Sequence, residues 1–231
     1  MLPASVERIE QTLDDSAVVL DIGGWAKPFA RADRVLDLMP YDTRGLYGNA
    51  GSGPERFTEQ SWFVRDICDH EPFPFADGEI DFCICSHTLE DIRDPIWVCS
   101  EINRIAKAGY IEVPSRLEEQ SYGVHGPWVG WTHHRWLVDV GSQGIEFVAK
   151  PAMLQGREEF QFGSDFAHSL TPEERVQTLF WEGGFEFGER IFFEPPELDA
   201  YLADFVSANS AKHGPPPRPG LRARLARRLG R

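Results

Sequence analysis

The chain has 231 residues, of which 42% are hydrophobic, enough to bury the core of one domain or of one domain with additions. Its formal net charge of −14 argues against a general nucleic-acid-binding protein, because phosphates would be repelled. No apolar run has the length of a membrane span, and the N-terminus lacks the basic, apolar pattern of a signal peptide. We therefore expect a cytoplasmic protein.

The four cysteines predict neither a redox pair nor a metal site. Cys83 and Cys85 lie two positions apart in an apolar run, so they would share one strand face and belong to the core. The sequence has no CxxC motif and no Cys/His spacing typical of zinc ligands. A reduced protein without a bound metal is the expectation.

The first half of the chain predicts an α/β fold with a doubly wound, mostly parallel sheet. A short helix is predicted over Ser5–Leu13, where apolar residues recur at helical spacing. Asp94 as N-cap and Pro95 at the first helical position predict a second helix, which ends at Gly109. Short apolar runs predict five strands, at Ala17–Ile22, Arg34–Leu38, Trp62–Ile67, Ile80–His87 and Tyr110–Val113.

Beyond Ser115 the pattern changes, and residues 116–136 are rich in Gly, His and Trp. Apolar runs there predict strands at Ile145–Lys150, Phe160–Phe162 and Phe185–Phe193. Pro172–Trp181 is predicted to be a helix, with Thr171 as its cap and two glycines after its end. Pro196–Ser207 is a further helix candidate. We expect residues 1–213 to form the folded domain.

The last residues, 214–231, differ in composition from the rest. Residues 1–217 carry 17 basic against 37 acidic residues, a net −20, whereas the tail carries +6. A Pro-rich spacer precedes leucines that recur every four residues among arginines, a pattern that predicts a short basic amphipathic helix. Two interpretations stay open: contact with an anionic membrane surface or an acidic partner, or a disordered solubilising tail.

Acidic residues stand near the ends of three of the predicted strands. Asp21 precedes Gly23 and Gly24, which allow a tight turn, and Asp37 and Asp66 stand near the ends of the next two strands. The carboxyl ends of the strands are where open α/β sheets bind ligands. Acids suit ribose hydroxyls and amino groups rather than phosphates, and both a G-x-G-x-x-G turn leading into a helix and a P-loop are absent. The ligand predicted is a nucleoside without a pyrophosphate, which S-adenosylmethionine fits.

At this point the sequence resembles class I S-adenosylmethionine-dependent methyltransferases, and within them the small methyltransferase-11-type domains. The resemblance covers about residues 15–115. Its motifs are Val19–Gly24, Asp37, Asp66-Ile67, Phe75–Glu90 and the helix-strand segment Glu101–Ile111. Each motif alone is weak, whereas their order and spacing together are fairly specific.

The resemblance implies a role for each matching residue. Asp21, Gly23 and Gly24 would contact the amino acid end of the cofactor, and Asp37 would bind the ribose hydroxyls. Asp66 would bind the adenine amino group, and Ile67 would pack on the adenine ring. Ser86 and His87 would border the methyl-transfer site, where catalysis needs in-line alignment and sometimes a general base.

On the acceptor side, His125, His133 and His134 lie close to Trp128, Trp131 and Trp136 in the sequence. One histidine, His133 or His134 in particular, is a candidate general base, and the indole faces would stack on a small-molecule or sugar-like acceptor. The other interpretation is an ordinary aromatic cluster. Metal binding by His133 and His134 is not expected, since neighbours in an extended chain point in different directions.

Two departures from the family pattern bear on activity. Trp25 stands where the family usually has glycine, two places after Gly23, and Asp91 replaces a common histidine. The alternative function is therefore a catalytically degenerate homologue that acts as a binding or scaffold protein. A nucleotide-sugar or NAD enzyme is the third hypothesis, which the missing phosphate loop disfavours. The sequence leaves the acceptor and the oligomeric state open.

Overall fold

A computed structural model describes residues 1–210, so the predicted spacer and basic tail at 214–231 lie outside the described residues. These residues form two compact units. The first contains Met1–Arg116, His133–Lys150 and Pro172–Ile191; the second contains Leu117–Thr132, Pro151–Thr171 and the described residues from Phe192 onward. Within the described part of the chain, no helix is both long and apolar enough to cross a membrane.

The regular elements are numbered here in chain order. The α-helices are α1 Pro3–Thr12, α2 Pro95–Ile105, α3 Arg116–Glu119, α4 Ser164–Ser169 and α5 Pro195–Ser210. The strands are β1 Val19–Ile22, β2 Arg34–Asp37, β3 Trp62–Val64, β4 Phe82–Ser86, β5 Ala108–Pro114, β6 Tyr122–His125, β7 Trp128–Val129, β8 Trp136–Val140, β9 Gly144–Ala149, β10 Val176–Glu182 and β11 Glu186–Glu189.

The first unit is organised around a six-stranded sheet with the order β10-β5-β4-β1-β2-β3. The five strands from β3 to β5 are parallel, and β10 runs antiparallel to β5. This confirms the predicted doubly wound, mostly parallel sheet. From β1 the chain steps outward to β2 and β3 and then returns to β4 on the other side of β1. The topological switch point, where such sheets bind ligands, therefore lies between β1 and β4.

Both faces of this sheet are buried, which explains why the strand sequences are continuously apolar. On one face, Leu20 and Ile22 of β1 belong to the same cluster as the apolar side of α2. On the other face, Val19 packs in a cluster that includes Ile9 of α1 and Phe29 from the loop after β1. The start of α2 is as predicted, because Asp94 Oδ1 accepts a hydrogen bond from the Trp97 backbone N–H at 2.9 Å.

The prediction of a helix over Pro172–Trp181 is wrong. This segment contains β10, which pairs along its whole length with β5 in antiparallel register, from Val176 opposite Pro114 to Glu182 opposite Ala108. The backbone groups of β10 thereby satisfy the open edge of β5. Phe180 packs on Tyr110, with ring centroids 4.6 Å apart. These contacts depend on residues 62 to 74 positions earlier in the chain, so the local sequence did not reveal them.

The prediction of a strand at Phe160–Phe162 is also wrong. Residues Glu158–Phe160 form a short 3₁₀ helix in the second unit. There Phe162 stacks on Phe166 of α4, with ring centroids 4.0 Å apart. Phe162 also pairs with Ser121 in an isolated parallel bridge, but the run as a whole does not form a strand. By contrast, the predicted strand near Ile145–Lys150 is present as β9, at the centre of a three-stranded sheet in the first unit with the order β11-β9-β8.

Candidate cofactor and acceptor site

The turn after β1 packs closely against the protein itself. Gly23 has a φ of +75°, and a Cβ atom at this position would lie 2.0 Å from Thr88 Oγ1. A Cβ at Gly24 would lie 2.4 Å from Asp21 Oδ2. Both glycines are therefore required by packing at the β1/β4 switch point, independently of any ligand.

Asp21 lies beneath this turn and is only 3% exposed. Its Oδ2 accepts a hydrogen bond from the Phe29 backbone N–H at 2.8 Å, which holds the irregular segment after the glycines. Burial raises the pKa of the Asp21 carboxyl to about 7. Asp21 therefore supports the turn from inside the protein.

Asp37 ends β2, next to the same turn. Its Oδ2 accepts the backbone N–H of Trp25 and its Oδ1 accepts that of Met39, at 2.9 and 2.8 Å. Burial raises the pKa of this carboxyl, which is 7% exposed. The half-buried Trp25 indole donates its Nε1–H to the Thr43 carbonyl oxygen at 2.8 Å. Trp25 thus links Asp37 to the loop that follows β2.

Asp66 and Ile67 follow β3 in different environments. Asp66 Oδ1 accepts a hydrogen bond from the Cys68 backbone N–H at 2.9 Å. Its Oδ2 accepts one from the Arg93 Nη1 group at 2.6 Å. The hydrogen bond from Cys68 and the pairing with Arg93 lower the pKa of the Asp66 carboxyl. Ile67 is buried in the apolar cluster beside α2. The acid therefore stays accessible while the isoleucine side chain belongs to the core.

Two buried carboxylates, those of Glu90 and Glu112, flank the half-exposed His87 side chain at the end of β4. His87 adopts a left-handed φ of +53°, uncommon for a residue with a side chain. In this conformation its backbone N–H donates to the Glu112 carbonyl oxygen at 2.8 Å, and its Nε2 lies 3.1 Å from Glu112 Oε1. Its Nδ1 lies 3.6 Å from Oε1 of Glu90, whose buried carboxylate makes no hydrogen bond within the described residues.

Glu112 stands in the middle of β5 and is only 1% exposed. Its carboxylate also receives hydrogen bonds from other groups, namely Ser86 Oγ at 3.4 Å, the Tyr110 hydroxyl and the Leu2 backbone N–H at 2.8 Å. Burial opposes ionisation of Glu112, but its hydrogen bonds and charge partners outweigh burial and lower its pKa to about 2. Burial likewise disfavours a charged His87, but the two carboxylates raise the pKa of His87 to about 9.

The histidines beyond β5 separate into two groups. His125 belongs to the second unit, where its Nδ1 lies 2.9 Å from Thr132 Oγ1. His133 and His134 belong to the first unit, and the Nε2 atoms of both approach Asp91 Oδ1, at 4.0 and 3.7 Å. The expectation that these neighbours point in different directions is wrong. The chain bends at Thr132 and His133, so the backbone is not extended there.

Comparisons with known proteins find similarity to methyltransferases over part of the chain. A sequence model of the family described as "Methyltransferase domain" matches residues 52–111. An uncharacterized methyltransferase from Mycobacterium sp. (strain JLS) is 29% identical over 110 residues, which are 46% of this chain and 40% of that protein. Over the matched segment the chain is similar to class I S-adenosylmethionine-dependent methyltransferases. This similarity supports S-adenosylmethionine as the cofactor.

The chain resembles solved structures only distantly. A SAM-dependent methyltransferase from Aquifex aeolicus is 17% identical, with a TM-score of 0.33 over 49% of this chain and 64% of that chain. An S-adenosylmethionine-dependent methyltransferase from Mesorhizobium loti is 12% identical, with a TM-score of 0.35 over 62% of each chain. The fold assignment therefore rests on the strand order described above.

The residues at the strand ends fit the cofactor in their chemistry. Each carboxylate oxygen has two lone pairs, and each oxygen of Asp37 accepts one backbone N–H. Asp37 therefore retains acceptor capacity of the kind that ribose hydroxyls use. Asp66 has the same capacity and lies partly exposed at the end of the neighbouring strand.

Sequence reasoning missed two residues of this site, Glu112 and Arg93. Glu112 left a detectable signal, because it is an acid within the apolar run Tyr110–Val113 and a buried carboxylate requires partners. Arg93 left no such signal. Its pairing with Asp66 depends on how the β4–α2 loop folds back toward the end of β3.

Proposed function

We propose that this protein transfers a methyl group from S-adenosylmethionine to a small-molecule or glycan-type acceptor. The proposal rests mainly on the placement of Asp37 and Asp66 at the ends of neighbouring parallel strands, beside the turn at the β1/β4 switch point. The chain spans about 40% of the length of its curated relative, so activity is inferred here from the site.

In this proposal each side chain has a defined task. The turn formed by Asp21, Gly23 and Gly24 receives the amino acid end of the cofactor, and Asp37 accepts the ribose hydroxyls. Asp66 borders the adenine, whereas Ile67, expected from the sequence to pack on the ring, lies in the core. When bound, S-adenosylmethionine supplies an electrophilic methyl group, and the protein's own contribution is alignment and exclusion of water.

Ser86 and His87 border the reacting side of the site. With a pKa of about 9, His87 holds its proton near neutral pH, so it donates hydrogen bonds and orients groups instead of acting as a general base. The Glu90 and Glu112 carboxylates maintain this charge.

A glycan-type acceptor is supported by the exposed aromatic side chains of Tyr122 and Trp128 in the second unit, since such rings pack on sugar faces.

Calorimetric titration with S-adenosylmethionine and S-adenosylhomocysteine tests the proposal. We expect saturable binding of both, and Asp37→Ala should weaken it by roughly tenfold or more, the loss of about 1.4 kcal/mol or more. Asp42→Ala is the matched control, because it removes an exposed acid from the adjacent loop and should leave the affinity unchanged. Thermal unfolding of each variant separates lost binding from lost folding. Absence of binding by the wild-type protein at high micromolar cofactor would refute the proposal.

A second candidate function is a binding or scaffold role without methyl transfer. It is favoured by Trp25, which replaces the usual glycine and whose backbone N–H and indole bind Asp37 and Thr43. A protein of this kind would show no heat of cofactor binding, and Asp37→Ala would not change that result. The same titration therefore decides between the two functions.

A further inference from the structure

A cluster of metal-ligating side chains lies outside the proposed cofactor site. Asp91 follows the strand β4, and His133 and His134 precede the strand β8. The candidate ligand atoms of these three residues all lie within 4.8 Å of one another. The two imidazole rings meet edge to face, with centroids 4.6 Å apart.

The backbone builds this cluster from both sides. The Glu90 carbonyl oxygen accepts the backbone N–H of Arg135 at 2.7 Å and that of Trp136 at 3.3 Å. The Trp136 indole Nε1–H donates to the Ile92 carbonyl oxygen at 2.9 Å. These hydrogen bonds join the residues on either side of Asp91 to those directly after His134, and they hold the three side chains near one another.

Burial makes the cluster more than a set of surface charges. The His134 side chain is 7% exposed, and the Oδ1 atom of Asp91 that faces both rings is buried. His133 remains half exposed, which leaves a route for an ion from solvent. The site is therefore partly enclosed and open on one side.

We propose that Asp91, His133 and His134 bind one divalent transition-metal ion, for which Zn²⁺ is the probe. Two imidazoles and a carboxylate form a ligand set that such ions prefer over Ca²⁺ or Mg²⁺. Ligand atoms bonded at about 2.0–2.1 Å in a tetrahedron are about 3.3 Å apart. Asp91 Oδ1 lies 3.7 and 4.0 Å from the two Nε2 atoms, less than 1 Å beyond this value, and all three ligand atoms lie within 4.8 Å of one another, so side-chain rotations can bring them to bonding geometry. Three protein ligands leave a coordination position open for an exogenous ligand.

This inference goes beyond methyl transfer and does not depend on it. If S-adenosylmethionine fails to bind, the proposed function is lost, whereas the metal site is judged by metal binding alone. The competing explanation is a simple ion pair between Asp91 and protonated histidines, which predicts no specific uptake of metal.

The test is equilibrium dialysis of the untagged full chain against Zn²⁺, with the bound metal measured by elemental analysis. We expect one equivalent of bound Zn²⁺, and Asp91→Asn or His134→Gln should lower the affinity by roughly tenfold or more, as loss of a ligand does. His70→Gln is the matched control. His70 Nε2 also lies close to a carboxylate, 2.7 Å from Asp94 Oδ2, but this pair contains only one histidine. The affinity of the His70→Gln variant for Zn²⁺ should equal that of the wild type.

Substitution with Co²⁺ identifies the ligands directly. A visible spectrum without thiolate charge transfer, lost in Asp91→Asn, supports the site, whereas thiolate bands would place the ion on one of the four free cysteines and overturn the proposal. Failure of the wild-type protein to retain Zn²⁺, or equal retention by folded Asp91→Asn and His134→Gln, would also overturn it. Should His134→Gln unfold, the more exposed His133→Gln gives the same test.

Discussion

His87 Nε2 lies 3.1 Å from Oε1 of Glu112, and this contact joins the end of β4 to the middle of β5. The pair lies beside the β1/β4 switch point, where the proposed methyl transfer takes place. Because Glu112 is buried, it keeps its negative charge only through its hydrogen bonds and charge partners. Among these, the hydrogen bond with His87 lowers the pKa of Glu112 most. The two residues therefore set each other's protonation state.

The first prediction concerns the titration of His87. We expect its imidazole, followed by NMR, to titrate with a pKa of about 9, and Glu112→Gln should lower that value because the charged ring loses an anionic partner. Glu59→Gln, which removes an exposed carboxylate from a distant 3₁₀ helix, is the control and should cause no change. Titration of His87 near the ordinary value of 6.5 in the wild type would contradict the assignment.

The same pair determines how stability depends on pH. Glu112 has a folded pKa below its ordinary 4.5, so its contribution is complete above 4.5 and is lost as pH falls toward about 2. His87 has a folded pKa above its ordinary 6.5, so its contribution is complete below 6.5 and is lost as pH rises through about 9. Urea unfolding should therefore show the largest cost of Glu112→Gln between pH 4.5 and 6.5. A cost independent of pH would show that the pair is not charged as described.

The second prediction concerns Gly23. Gly23→Ala places a Cβ 2.0 Å from Thr88 Oγ1 at a φ of +75°, so it combines backbone strain with overpacking. Gly48→Ala is the matched control, because it has a φ of +74° with nothing within 4 Å of the new atom. Unfolding free energies should fall by about 1 kcal/mol for Gly48→Ala and by about 2 kcal/mol more for Gly23→Ala.

A double variant identifies the atoms responsible. If Thr88 causes the extra cost, Gly23→Ala should be less destabilising when Thr88 is replaced by glycine, since the contacting side-chain atoms are then absent. Equal costs of Gly23→Ala and Gly48→Ala in the wild-type background would mean that the turn relaxes freely. That result would contradict the conclusion that close packing against Thr88 requires glycine at position 23.

The third prediction concerns Trp25. Trp25→Gly should destabilise the protein by about 1–2 kcal/mol through lost burial, and it should tighten S-adenosylmethionine binding by clearing space beside Asp37. Trp25→Phe is the control, because it keeps a ring but loses the Nε1–H bond to Thr43, so its affinity should stay close to that of the wild type. Weaker cofactor binding by folded Trp25→Gly would show that the indole supports the site.

The sequence alone was sufficient for the parallel sheet and for the acids at its strand ends. Buried parallel strands are read from continuous apolar runs, and their carboxyl ends meet at one edge, so Asp21, Asp37 and Asp66 were located without coordinates. The start of α2 could also be predicted from local sequence, because an N-cap residue and a proline act on the first turn of a helix.

Only the tertiary structure decided what these residues contact. The β10 strand at Val176–Glu182 exists because β5 offers an unpaired edge, and propensity within the segment could not reveal that edge. Arg93 meets Asp66, and His133 and His134 meet Asp91, through loops whose paths depend on distant backbone hydrogen bonds. Local physics places residues on elements, whereas long-range packing selects the partners that determine charge, ligation and chemistry.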